Sequence, residues 1–311
     1  MDKNLFIDAS HPDETRIVLK TNSSIEEYEY ENKNKLNFKN NIYLGTISRV
    51  EPSLQAAFVN FGRIKHGFLA FNDIQSDYYQ IPTEDKDKLQ LAEEKIREDL
   101  KNTNNDDLTN LENGEANNDS QKLNEASKEI IESNRNGAEN DQDKRKNYRE
   151  KLKNTYGLKK YRIQEVIKPG QVILIQVLKE ERGQKGAALT TFISLAGKYV
   201  VLMPNTAKGG GISRKIFNSS ERNKIRSILN EIEIPKNMGV IVRTAGSNKT
   251  KNEIEKDFQN TISTWDQIKE KAVESNAPSL IYEEGDIIKR ALRDIYDNET
   301  KNIYIDGNEG Y

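Results

Sequence analysis

The 311-residue chain contains no cysteine, which excludes a disulfide framework, a thiolate zinc site and a cysteine nucleophile within it. Its two histidines, His11 and His66, fall in separate blocks of sequence and make no paired histidine metal site. Neither sign of charge dominates. With 48 lysines and arginines against 50 aspartates and glutamates, a polyanionic partner has to be met by a local basic patch and not by a global field. Long apolar runs are missing too: MDKNLFIDAS lacks the apolar stretch of a signal peptide, and no window approaches the length of a membrane span. A soluble cytoplasmic protein is the expectation.

Apolar residues are scarce, at 34% of the chain and a mean hydropathy of −0.86. The shortage is concentrated in one block. Between Thr83 and Tyr156, stretches such as NTNNDDLTNLENGEANNDSQ cannot bury enough surface to offset their ordering entropy, so 83–156 reads as a disordered insertion. Two weak helical stripes lie inside it, Leu89, Ala92, Ile96 and Leu100, then Leu123, Ala126 and Ile130. Its last part, Asp143 to Arg162, is basic and carries three tyrosines, which reads either as a solvated face or as an RNA-contacting flank.

What is present elsewhere is mostly β. Leu5 and Ile7, Ile17 and Leu19, and Ile25, Tyr28 and Tyr30 predict three short strands, a meander too small to stand alone. NIYLGTISRVEPSLQAAFVNFG and KHGFL interleave Gly45, Gly62 and Gly67 with Phe58, Phe61 and Phe68, as a small, sharply bent OB-type barrel requires. On the open face of such a barrel, rings stack on unpaired bases; packing in the core is the other use of those phenylalanines. Beyond the insertion, Val172 to Lys179 alternate as a strand, and Arg182, Gly183, Gln184, Lys185 and Gly186 form a basic turn before an extended run from Ala187 to Ile193. That turn is either a solvated hairpin or a holder of cations at the barrel mouth. The insertion therefore interrupts one barrel, and Phe58, Phe68 and Lys185 are expected to share one surface.

Downstream, Tyr199 to Met203 predict a strand and Lys208 to Arg214 a glycine loop. Ile225, Ile228, Leu229 and Ile232 mark a helix stopped by Pro235, and Gly239 to Thr244 a buried strand. A long helix bears Ile254, Phe258, Ile262, Trp265 and Ile268, then come a strand at Pro278 to Glu283, a helix at Gly285 to Tyr296 and a strand at Asn302 to Asp306. Two places suit an anion: Gly209-Gly210-Gly211 with Arg214 and Lys215, and Arg243-Thr244 at a strand end, where a guanidinium fork and a hydroxyl converge. Neither is a Walker loop, and AGSNKT has Lys249-Thr250 without a glycine before the lysine. No nucleophile–base set is visible, and the spacing of Asp286, Asp294, Asp297 and Asp306 matches no metal pair.

Taken together, NIYLGTISRVEPSLQAAFVNFG, KHGFL, KEERGQKGAALTTFISLAGKYVVLMPN, GGISR and GVIVRTAG resemble the amino-terminal half of the ribonuclease E/G family, in order over about 1–82 and 157–306. The resemblance implies an α+β multidomain chain. A five-stranded OB-type S1 barrel (37–189, with the insertion 83–156) is inserted in a split RNase H-like α/β subdomain (1–36 and 286–311) and followed by an α+β 5′-sensor domain (190–285). By similarity Phe58, Phe68 and Lys185 contact RNA, Arg243 and Thr244 hold a 5′-monophosphate, and Gly197, Val201 and Arg214 line that pocket. The implied partner is single-stranded RNA with a 5′-monophosphate. The family's magnesium-binding aspartates and zinc-link cysteines lie in later regions, so the chain is expected to carry no catalytic residue and no cofactor and not to cleave unaided. Magnesium is expected for the full-length enzyme, the missing nuclease half supplied in trans is a further candidate partner, and the family forms homo-oligomers. The alternative is a stand-alone single-stranded RNA-binding module without nuclease activity.

Overall fold

The computed structural model describes residues 3–22, 24–32, 37–86, 91, 161–183, 185–205, 210–235, 237–297, 299–307 and 310. Both helical stripes and most of the basic flank of the expected insertion lie outside these. The chain divides into two units, Met1–Gln80 with Ile163–Tyr311, and Ile81–Arg162. The second is described only near its ends. There, residues 83–86 form a helical turn in which the N–H groups of Asp85 and Lys86 both donate to the Pro82 carbonyl at 3.1 Å, and the Tyr161 hydroxyl donates to Asp85 Oδ2 at 2.8 Å.

The first unit contains a four-stranded sheet built from both ends of the sequence. Strands β1 (Lys3–Asp8), β2 (Glu14–Thr21) and β3 (Ser24–Asn32) form the expected antiparallel meander, and β14 (Thr300–Asp306) adds to β1 in parallel, giving the order β14-β1-β2-β3. Alternation puts Leu5, Ile7, Ile17 and Leu19 on one face, where they pack against Ile287 and Ala291 of the last helix and Ile295 at its C-cap. Three strands alone lack a partner for that face, which is why the meander needs the distant helix.

Five strands close a barrel: β4 (Ile42–Glu51), β5 (Ala56–Asn60), β6 (Gly67–Ala70), β7 (Val172–Lys179) and β8 (Ala188–Thr190), joined in the order β4-β5-β6-β8-β7 and sealed by β7 pairing with β4. Ile47, Val59, Leu69, Ile173, Ile175, Val177 and Leu189 are buried. The short helix α1 (Ile163–Val166) precedes β7 and buries Ile163 and Val166. Strand β13 (Ser279–Tyr282) pairs with the outer part of β4, so a strand from the 190–285 segment extends the barrel sheet.

A third sheet runs β11 (Gly211–Ile212), β12 (Gly239–Val242), β10 (Val200–Met203) and β9 (Leu195–Ala196). Helices α2 (Ser219–Glu231) and α3 (Lys251–Glu274) supply Ile225, Ile228, Ile254, Phe258 and Ile268 to its core. Two short strands, β9 and β11, are additions to the expectation, because two residues are too few to show a period. The second of them lies within what reads as a glycine loop. Helix α4 (Ile287–Asp294) is the last α-helix among the described residues.

Lys249-Thr250 has a structural use. Thr250 caps α3 in a reciprocal box: its side chain accepts from Glu253 N at 3.4 Å, and Glu253 Oε2 accepts from Thr250 N at 2.9 Å. The Thr250 backbone N–H, followed by its hydroxyl, holds the Glu253 carboxyl below the ordinary carboxylate range. Thr250→Ala is expected to lower stability by about 1 kcal/mol, read as a shifted midpoint in urea unfolding with an unchanged slope.

Candidate RNA-binding wall and phosphate site

The two phenylalanines face each other across neighbouring strands. In the β5–β6 register Phe58 pairs with Phe68, both half-buried, with ring centroids 6.0 Å apart at 75°. Their neighbours Ala57, Val59 and Leu69 are buried, so alternation turns the two rings to the outer wall. Phe61, grouped with them in the sequence, is 1% exposed and meets Tyr43 edge-on at 5.2 Å. It is core. The register of β4 against β5 shifts between Ile47 and Arg49, which lets the exposed Arg49 lie over the Phe58 ring, 4.4 Å from its centroid. Ser48, at the bulge, donates to the Phe58 carbonyl at 3.1 Å and lies 2.9 Å from His66 Nδ1.

Lys185 arrives from the far side of the insertion. The basic turn closes on itself, with Arg182 and Lys185 exchanging backbone hydrogen bonds at 3.1 and 3.0 Å and Gly183 at φ 58°. Lys65 Nζ donates to the Gly183 carbonyl at 2.6 Å. The next residue has to be glycine, because a Cβ on Gly186 would stand 2.1 Å from the His66 carbonyl oxygen. One step on, Phe68 N donates to the Ala187 carbonyl at 2.7 Å, and Phe68 pairs with Ala188. The fold thus brings the exposed Lys185 onto a loop docked beside Phe68, over a hundred residues away in sequence.

Around the second site, Val200 pairs with Val242 and Val201 with Ile241, and Arg243 N continues the ladder to the Tyr199 carbonyl at 2.8 Å. Arg243 Nη1 donates to the Gly197 carbonyl at 2.8 Å and to Asp294 Oδ1 at 2.5 Å. The half-buried Val201 lies in β10 opposite Ile241, and the exposed Thr244 opens a short helical turn just past the end of β12. Parallel β11 brings Ser213 N to the Val242 carbonyl at 2.8 Å, so the exposed Arg214 follows directly beside β12. Of the other candidate loop, Gly209 lies outside the described residues.

Two carboxylates shape this site: Asp257, which the sequence reading passes over, and Asp294, which it weighs only as one of four aspartates without metal-pair spacing. Asp257 accepts from the N–H groups of Lys198, Tyr199 and Val200 at 3.1, 2.8 and 3.0 Å. A Cβ on Gly197 would meet its Oδ2 at 2.6 Å. Asp294 is pushed up by burial, but its hydrogen bonds to Arg293 and then Arg243 outweigh that and hold its carboxyl below the ordinary range. It therefore stays charged at neutral pH, and its pairing is lost only as pH falls below the usual carboxylate range. The available signal was Asp257 itself: it lies three residues after Ile254 and four before Thr261, on the buried stripe of α3.

Among the described residues no three acidic, histidine or cysteine side chains converge to hold a metal, so no step through magnesium is assigned to them. No described helix is long and apolar enough to cross a membrane.

A mixed α+β chain holding a closed five-stranded barrel is consistent with the OB or S1 class of fold. The model of the ribonuclease E/G family matches residues 194–311. Ribonuclease E of Haemophilus influenzae is 33% identical over 304 residues, covering 98% of this chain and 25% of that protein. The Escherichia coli ribonuclease E is likewise 33% identical over 304 residues, covering 98% of this chain and 22% of its own length. A putative ribonuclease E of Buchnera aphidicola is 32% identical over 307 residues, covering 99% and 57%. The chain belongs to the ribonuclease E/G family, and it spans about a quarter of the length of the first two relatives.

Proposed function

We propose that the chain is the RNA-binding and 5′-monophosphate-sensing part of a ribonuclease E/G-type endoribonuclease acting in RNA processing and mRNA decay. The barrel is its S1 domain, the β9–β12 sheet with α2 and α3 its 5′ sensor, and the sheet shared by both ends the start of an RNase H-like subdomain. The observation that carries this reading is the outward Phe58–Phe68 pair, half-buried on the barrel wall beside the Lys185 loop. Rings in that position stack on bases whatever their identity, and a lysine meets the backbone phosphates. For the RNA end, Arg243 with Thr244 supplies a guanidinium and a hydroxyl at the end of β12.

The test compares binding of the full chain to single-stranded RNAs that differ only in a 5′-monophosphate, triphosphate or hydroxyl. The monophosphate is expected to bind tightest. Arg243→Ala is expected to remove that preference, a loss of about tenfold or more for one charge-assisted contact, while hydroxyl-ended RNA binds as before. A preference that survives Arg243→Ala sinks the sensor assignment.

A further inference from the structure

We propose that Asp294, on α4, is the positioning residue that orients Arg243 for a terminal phosphate. The inference rests on the reading of Arg243 as the phosphate ligand. Both described acceptors of the Arg243 guanidinium lie at one nitrogen, Nη1: the Gly197 carbonyl at 2.8 Å and Asp294 Oδ1 at 2.5 Å. An arginine tied at Nη1 from two sides has its plane fixed, and its Nε–Nη2 edge is the one that can take a phosphate through two parallel hydrogen bonds.

The carboxylate is itself clamped. Arg293 donates from Nε to Asp294 Oδ1 at 3.0 Å and from Nη2 to Oδ2 at 2.9 Å. Its Nη1 donates to Glu284 Oε1 at 2.9 Å and to the Ala196 carbonyl at 3.4 Å. Glu284 in turn accepts from the Asn40 side-chain amide, and its N–H donates to Asn41 Oδ1 at 2.9 Å. Asp294 thus reaches Arg243 from a helix packed on a different sheet, held by a second arginine that is anchored at both ends. A long, rotamer-rich side chain loses less freedom on binding when it is already held in place. Phosphate recognition then depends on α4 as well as on the sheet that carries the arginine.

Affinities for RNAs with 5′-monophosphate and 5′-hydroxyl ends, measured by fluorescence anisotropy on Asp294→Asn, Asp294→Glu, Arg243→Ala and Arg243→Ala/Asp294→Asn, test this. Asp294→Asn is expected to weaken monophosphate binding about tenfold and leave hydroxyl-ended RNA unchanged. Asp294→Glu should keep part of the preference, and the double variant should be no worse than Arg243→Ala, since residues acting as one unit are not additive. Unchanged monophosphate binding in Asp294→Asn, a gain in affinity from removal of a competing carboxylate, or additive losses each overturn the proposal. Should Asp294→Asn fail to fold, Asp294→Glu carries the comparison, and a full wild-type preference there overturns it.

A readout without RNA separates the two ideas. In the wild type the Arg243 Nη protons are expected to give distinct nuclear magnetic resonance signals from hindered rotation, merging in Asp294→Asn. Free rotation in the wild type overturns the positioning role whatever RNA does. An ordered Arg243 in a wild type that binds both RNAs equally overturns the phosphate reading instead, and the proposal with it.

Discussion

Phe58→Ala and Phe68→Ala are each expected to weaken binding of single-stranded RNA by about 5- to 150-fold, the equivalent of losing one base stack worth about 1–3 kcal/mol. Because the rings touch edge to face at 6.0 Å, the double variant should fall short of the summed losses. Arg49 lies over Phe58, 4.4 Å from its centroid, so a base stacks either on the ring's other face or on the guanidinium plane, and Arg49→Ala should reduce affinity as well. Both rings are half-buried on the outer wall, so a folded barrel should survive each change, with a far-ultraviolet circular dichroism spectrum like that of the wild type. Titrations of a labelled oligonucleotide at two salt concentrations check this: the loss of stacking should appear at both, whereas the Lys185→Ala loss should shrink as salt rises. Wild-type affinity in both phenylalanine variants would remove the barrel wall from any role in binding RNA.

Much of the architecture could be read from periodicity, and the exceptions have physical reasons. Alternation in Val172–Lys179 and the 4, 4, 3 and 3 steps of Ile254, Phe258, Ile262, Trp265 and Ile268 map onto β7 and α3. Strands β9 and β11 are two residues long and show no period. For Phe58, Phe61 and Phe68 the sequence left core and surface open, and only the register decides. Phe61 turns inward against Tyr43, while the other two pair outside. The largest gap lay in charges acting on backbone or on each other. The Arg243-Thr244 pair at a strand end was visible in the sequence, but Asp294 is 51 residues further on. Its pairing is set by how α4 packs on the split sheet, which no local pattern encodes.

The same gap hides a second large effect. Asp257→Ala is expected to destabilise the chain by about 3 kcal/mol, because the N–H groups of Lys198, Tyr199 and Val200 lose a shared charged acceptor and each unpaired, part-buried donor costs about 1–3 kcal/mol. Water reaching the more open of the three keeps the total near the low end. The turn they belong to also presents the Gly197 carbonyl to Arg243 at 2.8 Å, so loosening it should erase the preference for a 5′-monophosphate along with the stability. Asp257→Asn keeps one oxygen as acceptor and should recover part of both. Gly197→Ala should reproduce the defect by another route, since its new Cβ would stand 2.6 Å from Asp257 Oδ2 and push the carboxylate out of the turn. Urea unfolding of the three variants, followed by RNA binding under conditions where each is folded, tests the chain of cause. If Asp257→Ala unfolds at the wild-type midpoint, the carboxylate does not hold the turn, and the tie between Gly197 and Arg243 has to be maintained by the strand ladder alone.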